Sequence, residues 1–332
     1  MFSILGLFCL NLLMLWGLDK NLFWRQLLFW LIGVVFFLLL KTISARRVFL
    51  PKKRVYLLIL LFLALPLLFG RVVRGSSRWL EIGIFSIQPS ELVKPFLIGV
   101  FASFLANGVS NFKNFLALIL LIFLPVFLVL VQPDLGSAAI VLVTLLSLVF
   151  IAKPNLVWWL PLIVGLGLIL LLAGNRIFEP YQLDRITSFL NPEQDPLGKG
   201  YNLIQAKLAI GAGGWSGRGF GLGRQTQLSF LPEKQTDFIF ASLAEELGFF
   251  GVLFTLWFYL LFFNWLIKKI ALSENGFWFF LRSGIFLQIF LQTAINLAMN
   301  LQLFPVVGVP LPFLSYGGSS LFSTFLALGL FL

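Results

Sequence analysis

The chain contains 13 acidic residues and no histidine, so its carboxylates are the first candidates for acid–base chemistry. The absence of histidine excludes a Ser-His-Asp triad, an H-E-x-x-H zinc site and a histidine phosphate relay. Cys9 is the sole cysteine, which excludes an internal disulfide and a cysteine-rich metal site. A general base is therefore expected among the Asp and Glu side chains.

Asp237 is the sharpest of these candidates. It ends the polar segment 231–237 and precedes a long apolar run that starts at Phe238. A carboxylate at such a boundary between water and lipid is partly desolvated, which raises its pKa and makes it a better base. A structural alternative has equal weight at this point, because Thr236 or Asp237 could simply cap the following helix.

Three further charged positions interrupt apolar sequence. Glu91 and Lys94 are three residues apart and would share one helical face. Ionisable residues inside a membrane usually mark function, but this pair could also be a structural ion pair. Asp134 follows a proline and precedes Leu-Gly, so it is either a site residue or an ordinary turn residue.

Arg78 and Trp79 are adjacent, and a guanidinium beside an indole could hold a phosphate and a sugar ring. Arginine and tryptophan are also common anchors at the membrane interface, so the structural alternative is at least as strong.

The elements that must position these residues are membrane spans. Hydrophobic residues make up 60% of the chain, charged residues 11%, and the mean hydropathy is +1.00, whereas soluble domains carry about 25% charged residues. The apolar runs are each close to the ~20 residues that cross a bilayer. The predicted fold is an all-α integral membrane protein with about ten transmembrane helices. The predicted spans are 1–17, 22–40, 55–70, 92–108, 115–131, 138–152, 155–173, 238–267, 278–300 and 319–332.

Basic residues in the short links orient these spans, because such residues favour the cytoplasmic side. Those on the predicted inner side are Lys41, Arg46, Arg47, Lys52, Lys53, Arg54, Lys113, Lys153, Lys268 and Lys269. Both termini are then cytoplasmic. This topology explains much of the net charge of +11 better than binding to nucleic acid does.

One large loop, about 174–237, lies on the outer side between spans seven and eight. Its prolines and the glycine cluster 211–223 forbid one continuous helix, although 201–210 could form a short amphipathic helix at the interface. The proline- and glycine-rich segment 305–318 is nonhelical sequence that could line a cavity. With no internal repeat or linker, residues 1–332 are expected to form a single membrane domain.

Four ordered motifs give the chain a specific resemblance. They are G-x-x-R-W at Gly75 to Trp79, Q-P-S-E-x-x-K at Gln88 to Lys94, Q-P-D-L-G at Gln132 to Gly136 and P-L-P-F-x-S-Y-G-G-S at Pro310 to Ser319. With them, the sequence resembles the SEDS family (shape, elongation, division and sporulation) over nearly its whole length. The loop from Phe189 to Gly214 is more similar to the elongation branch than to the division branch.

The resemblance implies a peptidoglycan glycosyltransferase in the bacterial cytoplasmic membrane that serves cell elongation and shape. Its substrate would be lipid II, the undecaprenyl-diphosphate-linked disaccharide-pentapeptide, polymerised at the outer leaflet. Its partner would be a class B penicillin-binding protein, a single-span transpeptidase. Asp237 matches the family's essential loop aspartate and would be the catalytic base. Gln235 replaces a histidine that is common in the family, and Gln302 replaces a common glycine.

Candidate substrate-binding residues are Arg78, Trp79, Glu91, Lys94, Asp134, Arg185, Lys199, Gln205, Lys207, Glu233, Thr236 and Ser315. No cluster fixes a metal site, so the metal stays open, and a divalent ion such as Mg or Mn could assist departure of the diphosphate. Two alternatives to the enzyme remain at this point. One is a lipid II flippase with a headgroup path along the intramembrane charges, and the other is a non-catalytic scaffold for the penicillin-binding protein.

Overall fold

A computed structural model describes residues 2–73, 76–82, 85–164, 180–198 and 200–332. Its helices up to residue 151 are α1 (Phe2–Leu18), α2 (Lys20–Thr42), the short α3 (Ala45–Val48), α4 (Lys52–Phe69), α5 (Pro89–Leu105), α6 (Phe112–Val131) and α7 (Leu135–Ile151). Those that follow are α8 (Pro180–Leu190), α9 (Tyr201–Gly213), the short α10 (Arg224–Gln227), α11 (Ile239–Ala271), α12 (Gly276–Asn300) and α13 (Gly318–Phe331). Single 3-10 turns occupy Leu156–Trp159 and Pro192–Gln194.

Asp and Asn side chains fix where several of these helices begin. Asp19 accepts a hydrogen bond from the second residue after it at the start of α2. Asn111, Asp134 and Asn275 each accept from the third residue after them at the starts of α6, α7 and α12. Such side chains satisfy amides that have no partner within the helix. Short polar residues between apolar runs therefore set the boundaries of the spans.

Nine of the ten predicted spans coincide with helices in the described part of the chain. The seventh, 155–173, is described only at 155–164, and the rest of it lies outside the described residues. The predicted site residue Lys199 also lies outside them. By length and composition, α2, α6, α11 and α12 could cross a membrane, while α1, α7 and α13 are shorter apolar helices. The predicted amphipathic segment 201–210 falls within α9.

A small antiparallel sheet adds to the helical fold. Its strands are β1 (Arg71–Val73), β2 (Ser76–Ile82) and β3 (Phe85–Ile87), in the order β1-β2-β3. Trp79 pairs with Arg71 and Leu80 with Ile87. The sequence predicts a link between two spans here, with Arg78 and Trp79 as candidate binding residues, and no strands. Instead, the sheet places Arg78 and Trp79 on its central strand.

The core of the bundle surrounds α5, most of whose residues are buried. This helix packs against α4, α7, α12 and α13, and α13 packs in turn against α2. The predicted outer ends of the helices meet at one end of the bundle. There the amide of Gln88, before α5, donates to Ser319 Oγ of α13 at 3.0 Å. We call this end of the bundle the site end.

A glycine interrupts α11 near its start. Gly248 has φ +67°, outside the helical range. A Cβ atom at this position would lie 2.2 Å from the backbone nitrogen of Gly217 in the loop. The break therefore requires glycine for its dihedral angle and for the close approach of the loop backbone.

Candidate active site

Asp237 lies at the site end, directly before α11. Its carbonyl oxygen accepts hydrogen bonds from the Nδ2 atoms of Asn296 and Asn300, at 2.9 and 3.0 Å. Both asparagines come from the last turns of α12 and are completely buried. The backbone of Asp237 is thus held by a neighbouring helix.

The two residues before Asp237 are held by the nonhelical segment that precedes α13. The amide of Tyr316 donates to the carbonyl oxygen of Gln235 at 2.8 Å. Ser315 Oγ donates to the carbonyl oxygen of Thr236 at 2.6 Å and accepts from the amide of Leu311. The carbonyl groups of the three consecutive residues 235–237 are therefore bound by other elements of the fold. These bonds give Ser315 a structural role, and its contact with substrate stays a prediction.

The structure does not support the capping alternative for Asp237. Phe238 occupies the N-cap position of α11, and no side-chain hydrogen bond is made from it. The hydroxyl of Thr236 donates to Glu233 Oε2 at 3.0 Å and to the carbonyl oxygen of Glu233 at 3.3 Å. Neither Thr236 nor Asp237 serves as a side-chain cap.

The electrostatic surroundings of Asp237 suit a proton acceptor. Burial of the carboxyl group, followed by the neighbouring carboxylate of Glu233, raises its pKa to about 6. The guanidinium groups of Arg78 and Arg185 act in the opposite direction, and Asp134 adds a small upward contribution. Because these interactions need proximity, the fold brings four other predicted site residues close to the Asp237 carboxyl group.

Asp134 is both a helix cap and a charged partner. Its carboxylate accepts from the amide of Ser137 at 3.2 Å, from Gln88 Nε2 at 2.7 Å and from Ser90 Oγ at 3.0 Å. It also lies 3.8 Å from Arg78 Nη1. Arg78 Nε is buried and has no hydrogen-bond partner among the described residues. This guanidinium therefore retains a donor for an anionic group.

Glu91 and Lys94 form a closed ion pair inside the bundle. Lys94 Nζ lies 2.6 Å from Glu91 Oε1, and both side chains are almost completely buried. Ser137 Oγ and Gln292 Nε2 also donate to the Glu91 carboxylate, each at 3.3 Å. These contacts tie α5 to α7 and α12, as the structural alternative expects. Substrate binding by this pair stays a prediction.

Two carboxylates in α11 bind the loop backbone, a role that the sequence analysis missed. Glu245 accepts from the amides of Gln225 and Thr226 at 2.8 and 3.0 Å. Glu246 accepts from the amide of Gly221 at 3.1 Å and from Gln227 Nε2 at 3.0 Å. Two acids within an apolar run were the only sequence signal. The buried Asn296 and Asn300 were also missed, although they are four residues apart within one span.

The remaining predicted residues in the described part of the chain lie on three elements. Trp79 and Arg185 are partly buried on β2 and α8, while on α9 Gln205 is partly buried and Lys207 is exposed. No hydrogen bond or ion pair joins Gln205 or Lys207 to Asp237 in the described part of the chain. Within that part, no group of three or more His, Cys, Asp or Glu residues could hold a metal ion. The metal question therefore stays open.

A helical bundle with a buried core, apolar spans and a carboxylate held at one end defines a polytopic membrane protein with a candidate acid–base site. Residues 3–332 match the model of the FtsW/RodA/SpoVE family, described as cell cycle proteins. The chain belongs to this family, as the SEDS motifs predict.

Individual relatives agree with this assignment. The chain is 40% identical over 273 residues to peptidoglycan glycosyltransferase MrdB of Escherichia coli K12, covering 80% of this chain and 72% of the relative. It is similar to a chain from a peptidoglycan synthase complex that coordinates polymerization and crosslinking, with a TM-score of 0.82, 34% identity and coverage of 99% and 94%. For the rod shape determining protein RodA of Thermus thermophilus, the TM-score is 0.74, the identity 30% and the coverage 100% and 93%. The expected all-α membrane fold is thereby confirmed.

Proposed function

We propose that this protein is a peptidoglycan glycosyltransferase that polymerises lipid II for cell elongation and shape. Its family and its likeness to a relative named peptidoglycan glycosyltransferase support the enzyme class. The proposed reaction rests on one observation about Asp237. Two buried asparagines fix its backbone, and the pKa of its carboxyl group is raised to about 6. Such a group is largely ionised near neutral pH and can accept a proton.

The reaction is an inverting glycosyl transfer. Asp237 accepts the proton of the acceptor GlcNAc 4-hydroxyl while that oxygen forms a bond to C1 of the donor MurNAc. The bond from C1 to undecaprenyl diphosphate breaks, and its electron pair leaves with the diphosphate. A second carboxylic acid is unnecessary, because a diphosphate leaves without the protonation that an alcohol needs in glycoside hydrolysis.

Positive charge near Asp237 suits this leaving group. Arg78 and Arg185 both influence the Asp237 carboxyl group, so their guanidinium groups lie within electrostatic reach of the reacting centre. Fixed cations stabilise the charge that develops on a departing diphosphate. Lys199 and Lys207 of the outer loop are further candidates, and a divalent ion could assist.

The proposed setting is the outer face of the bacterial cytoplasmic membrane, with both termini in the cytoplasm. The positive-inside pattern of the links supports this orientation. The partner is a class B penicillin-binding protein, because the matched synthase chain belongs to a complex that couples polymerization to crosslinking.

The flippase alternative finds less support than the enzyme. Glu91, Lys94 and Asp134, which would line a headgroup path, are each at most 3% exposed and bonded to other protein groups. The cavity beside Lys94 has a volume of about 10 Å³, room for roughly one water molecule and not for a saccharide.

Polymerisation of lipid II by the purified protein with its transpeptidase tests the proposal. We expect Asp237→Asn to lower the rate about 100-fold or more, the usual contribution of a general base. Asp19→Asn is a matched control, since asparagine also caps α2 well and the rate should not change.

Wild-type rates from the Asp237→Asn complex would contradict a catalytic role for Asp237. Loss of partner binding in that variant would instead favour the scaffold alternative. Protein-dependent translocation of lipid II in liposomes that persists in Asp237→Asn, without polymerisation by wild type, would favour a flippase.

A further inference from the structure

The first turn of α11 is completed by a side chain from another helix. The amide of Ala241 donates to Asn300 Oδ1 at 3.1 Å. In a regular helix its acceptor would be the carbonyl oxygen of Asp237, four residues earlier. That carbonyl oxygen instead accepts from Asn300 Nδ2 at 3.0 Å. The Asn300 carboxamide thus stands between two groups that would bond to each other if the helix began one residue earlier; the first bond that α11 does make is from the amide of Ser242 to the carbonyl oxygen of Phe238.

The hydrogen-bond network fixes the orientation of this carboxamide. Asn300 Nδ2 also donates to the carbonyl oxygen of Asn296 at 2.9 Å, and Asn296 Nδ2 donates to the carbonyl oxygens of Asp237 and Val309. A rotated carboxamide would place its NH₂ group against the amide of Ala241. Both asparagines have no exposed surface, so an unmet donor or acceptor here would be costly.

The Ala241 amide is the group that a capping side chain would normally bind, because it is the third residue after Phe238, the N-cap. Aspartate is among the best capping residues, and Asp237 is adjacent to that position. A carboxylate that accepted hydrogen bonds from the helix amides would have a lower pKa and would be directed away from substrate. Asn300 takes that amide instead.

We propose that Asn300 is a positioning residue that caps α11 from the neighbouring helix, fixes the Asp237 peptide and so keeps the Asp237 carboxyl group directed at the substrate. This inference rests on the proposed function, in which Asp237 is the base. Asn296 supports the same carbonyl group from one helical turn away.

Replacement of Asn300 by leucine tests the proposal in the complex of full-length protein and transpeptidase. Asn300→Leu removes both hydrogen bonds and leaves the Ala241 amide available to the Asp237 carboxylate. We expect kcat to fall about tenfold or more, equivalent to ~1.4 kcal/mol, while KM stays within about twofold. The midpoint of the pH–rate profile should move to lower pH, because a carboxylate bound to an amide is easier to ionise.

A second variant and a matched control sharpen the test. Asn300→Asp keeps an acceptor for Ala241 but adds a carboxylate beside Asp237, so the pH midpoint should move upward. Asn275→Leu removes the side-chain cap at the opposite end of the same helix, α12. Loss of that cap should move neither the midpoint nor kcat.

Unchanged kcat and midpoint in Asn300→Leu would overturn the positioning role. A lower Tm with parallel changes in kcat and KM and no movement of the midpoint would also overturn it, because that is the pattern of a purely structural residue. If Asn300→Leu does not fold, the midpoint of Asn300→Asp decides between the same outcomes. Asp237→Asn is measured in parallel: a fully active Asp237→Asn contradicts the proposed function itself, whereas an inactive Asp237→Asn beside fully active Asn300 variants contradicts only this inference.

Discussion

Asp237 combines two conditions that a general base needs at neutral pH. Its backbone is held by bonds from α12, and its carboxyl group is desolvated enough to raise the pKa to about 6. Arg78 and Arg185 limit that rise. The side chain therefore stays ionisable in the range where the enzyme works, while gaining affinity for a proton.

The pH dependence of polymerisation follows from this pKa. In the proposed mechanism the ionised carboxylate is the active form, so we expect kcat to fall as the pH drops through about 6 and to reach a plateau above it. Because its guanidinium lowers the pKa of Asp237, Arg185→Gln should move the midpoint to higher pH. Initial rates at saturating lipid II, measured from well below to well above the midpoint, check both statements. A rate that does not depend on pH across this range would contradict the assignment of the base.

The sequence identifies Asp237 as a candidate site residue but does not decide whether it is a general base or a helix cap. Its position between polar and apolar sequence, together with the family resemblance, pointed to the residue. The choice depends on Asn300, 63 residues further along the chain. No local pattern connects the two positions, because their contact exists only after α11 and α12 pack together.

The helices were easier to predict than the small sheet. Runs of apolar residues separated by short polar links define spans, and Asp or Asn caps mark their starts. Strands β1 and β3 have only three residues each, too short for an alternating pattern, and the seven residues of β2 do not alternate between polar and apolar. The predicted link therefore became a sheet that carries Arg78.

Gln302 illustrates how one element compensates for backbone strain. It follows α12 with φ +57°, a conformation that favours glycine at this position after a helix. Its amide and that of Leu303 bond back to Met299 and Ala298 in a Schellman pattern. Its Nε2 also donates to the carbonyl oxygen of Leu203 in α9 at 2.8 Å. The side chain thus ties the outer loop to α12 where the family commonly has glycine.

Two substitutions at position 302 distinguish the cost of the positive φ angle from the loss of the hydrogen bond to α9. Gln302→Gly and Gln302→Ala both lose the bond to α9, but only glycine removes the cost of positive φ. We expect the glycine variant to be more stable than the alanine variant by about 1 kcal/mol, measured as the difference in unfolding free energy in detergent. Both should make the loop easier to cleave by protease. Equal stability of the two variants would show that the backbone at 302 relaxes without cost.

At the scale of the whole molecule, the candidate site forms where the ends of several helices meet at one end of the bundle. Residues before α5, α7 and α11 and at the end of α12 meet there. They come from positions 78–134 and 237–300, so no single segment of the chain contains the site. The site therefore assembles only when these distant segments pack together in the folded bundle.

The orientation of this bundle can be tested with single cysteines, because Cys9 is the sole native one. In a Cys9→Ala background, Gln194→Cys should react with a membrane-impermeant maleimide in intact cells. Ser44→Cys should react only after permeabilisation, since the link between α2 and α4 is predicted to be cytoplasmic. Both positions are exposed in the structure, so lack of labelling would not reflect burial. The reverse pattern would place the candidate site in the cytoplasm.

The nonhelical backbone at Gly248 divides α11 into an outer part and an inner part. The outer part, 239–247, is joined to the loop through Glu245 and Glu246, and just beyond the break the amides of Phe249 and Phe250 donate to the carbonyl oxygens of Gly214 and Trp215. The loop thus holds α11 on both sides of the break, and we expect a tilt that a thicker or thinner membrane imposes on the rest of the span to leave this segment in place. The height of Asp237 above the membrane is therefore set by the packing of the loop and not by the length of the span beneath it.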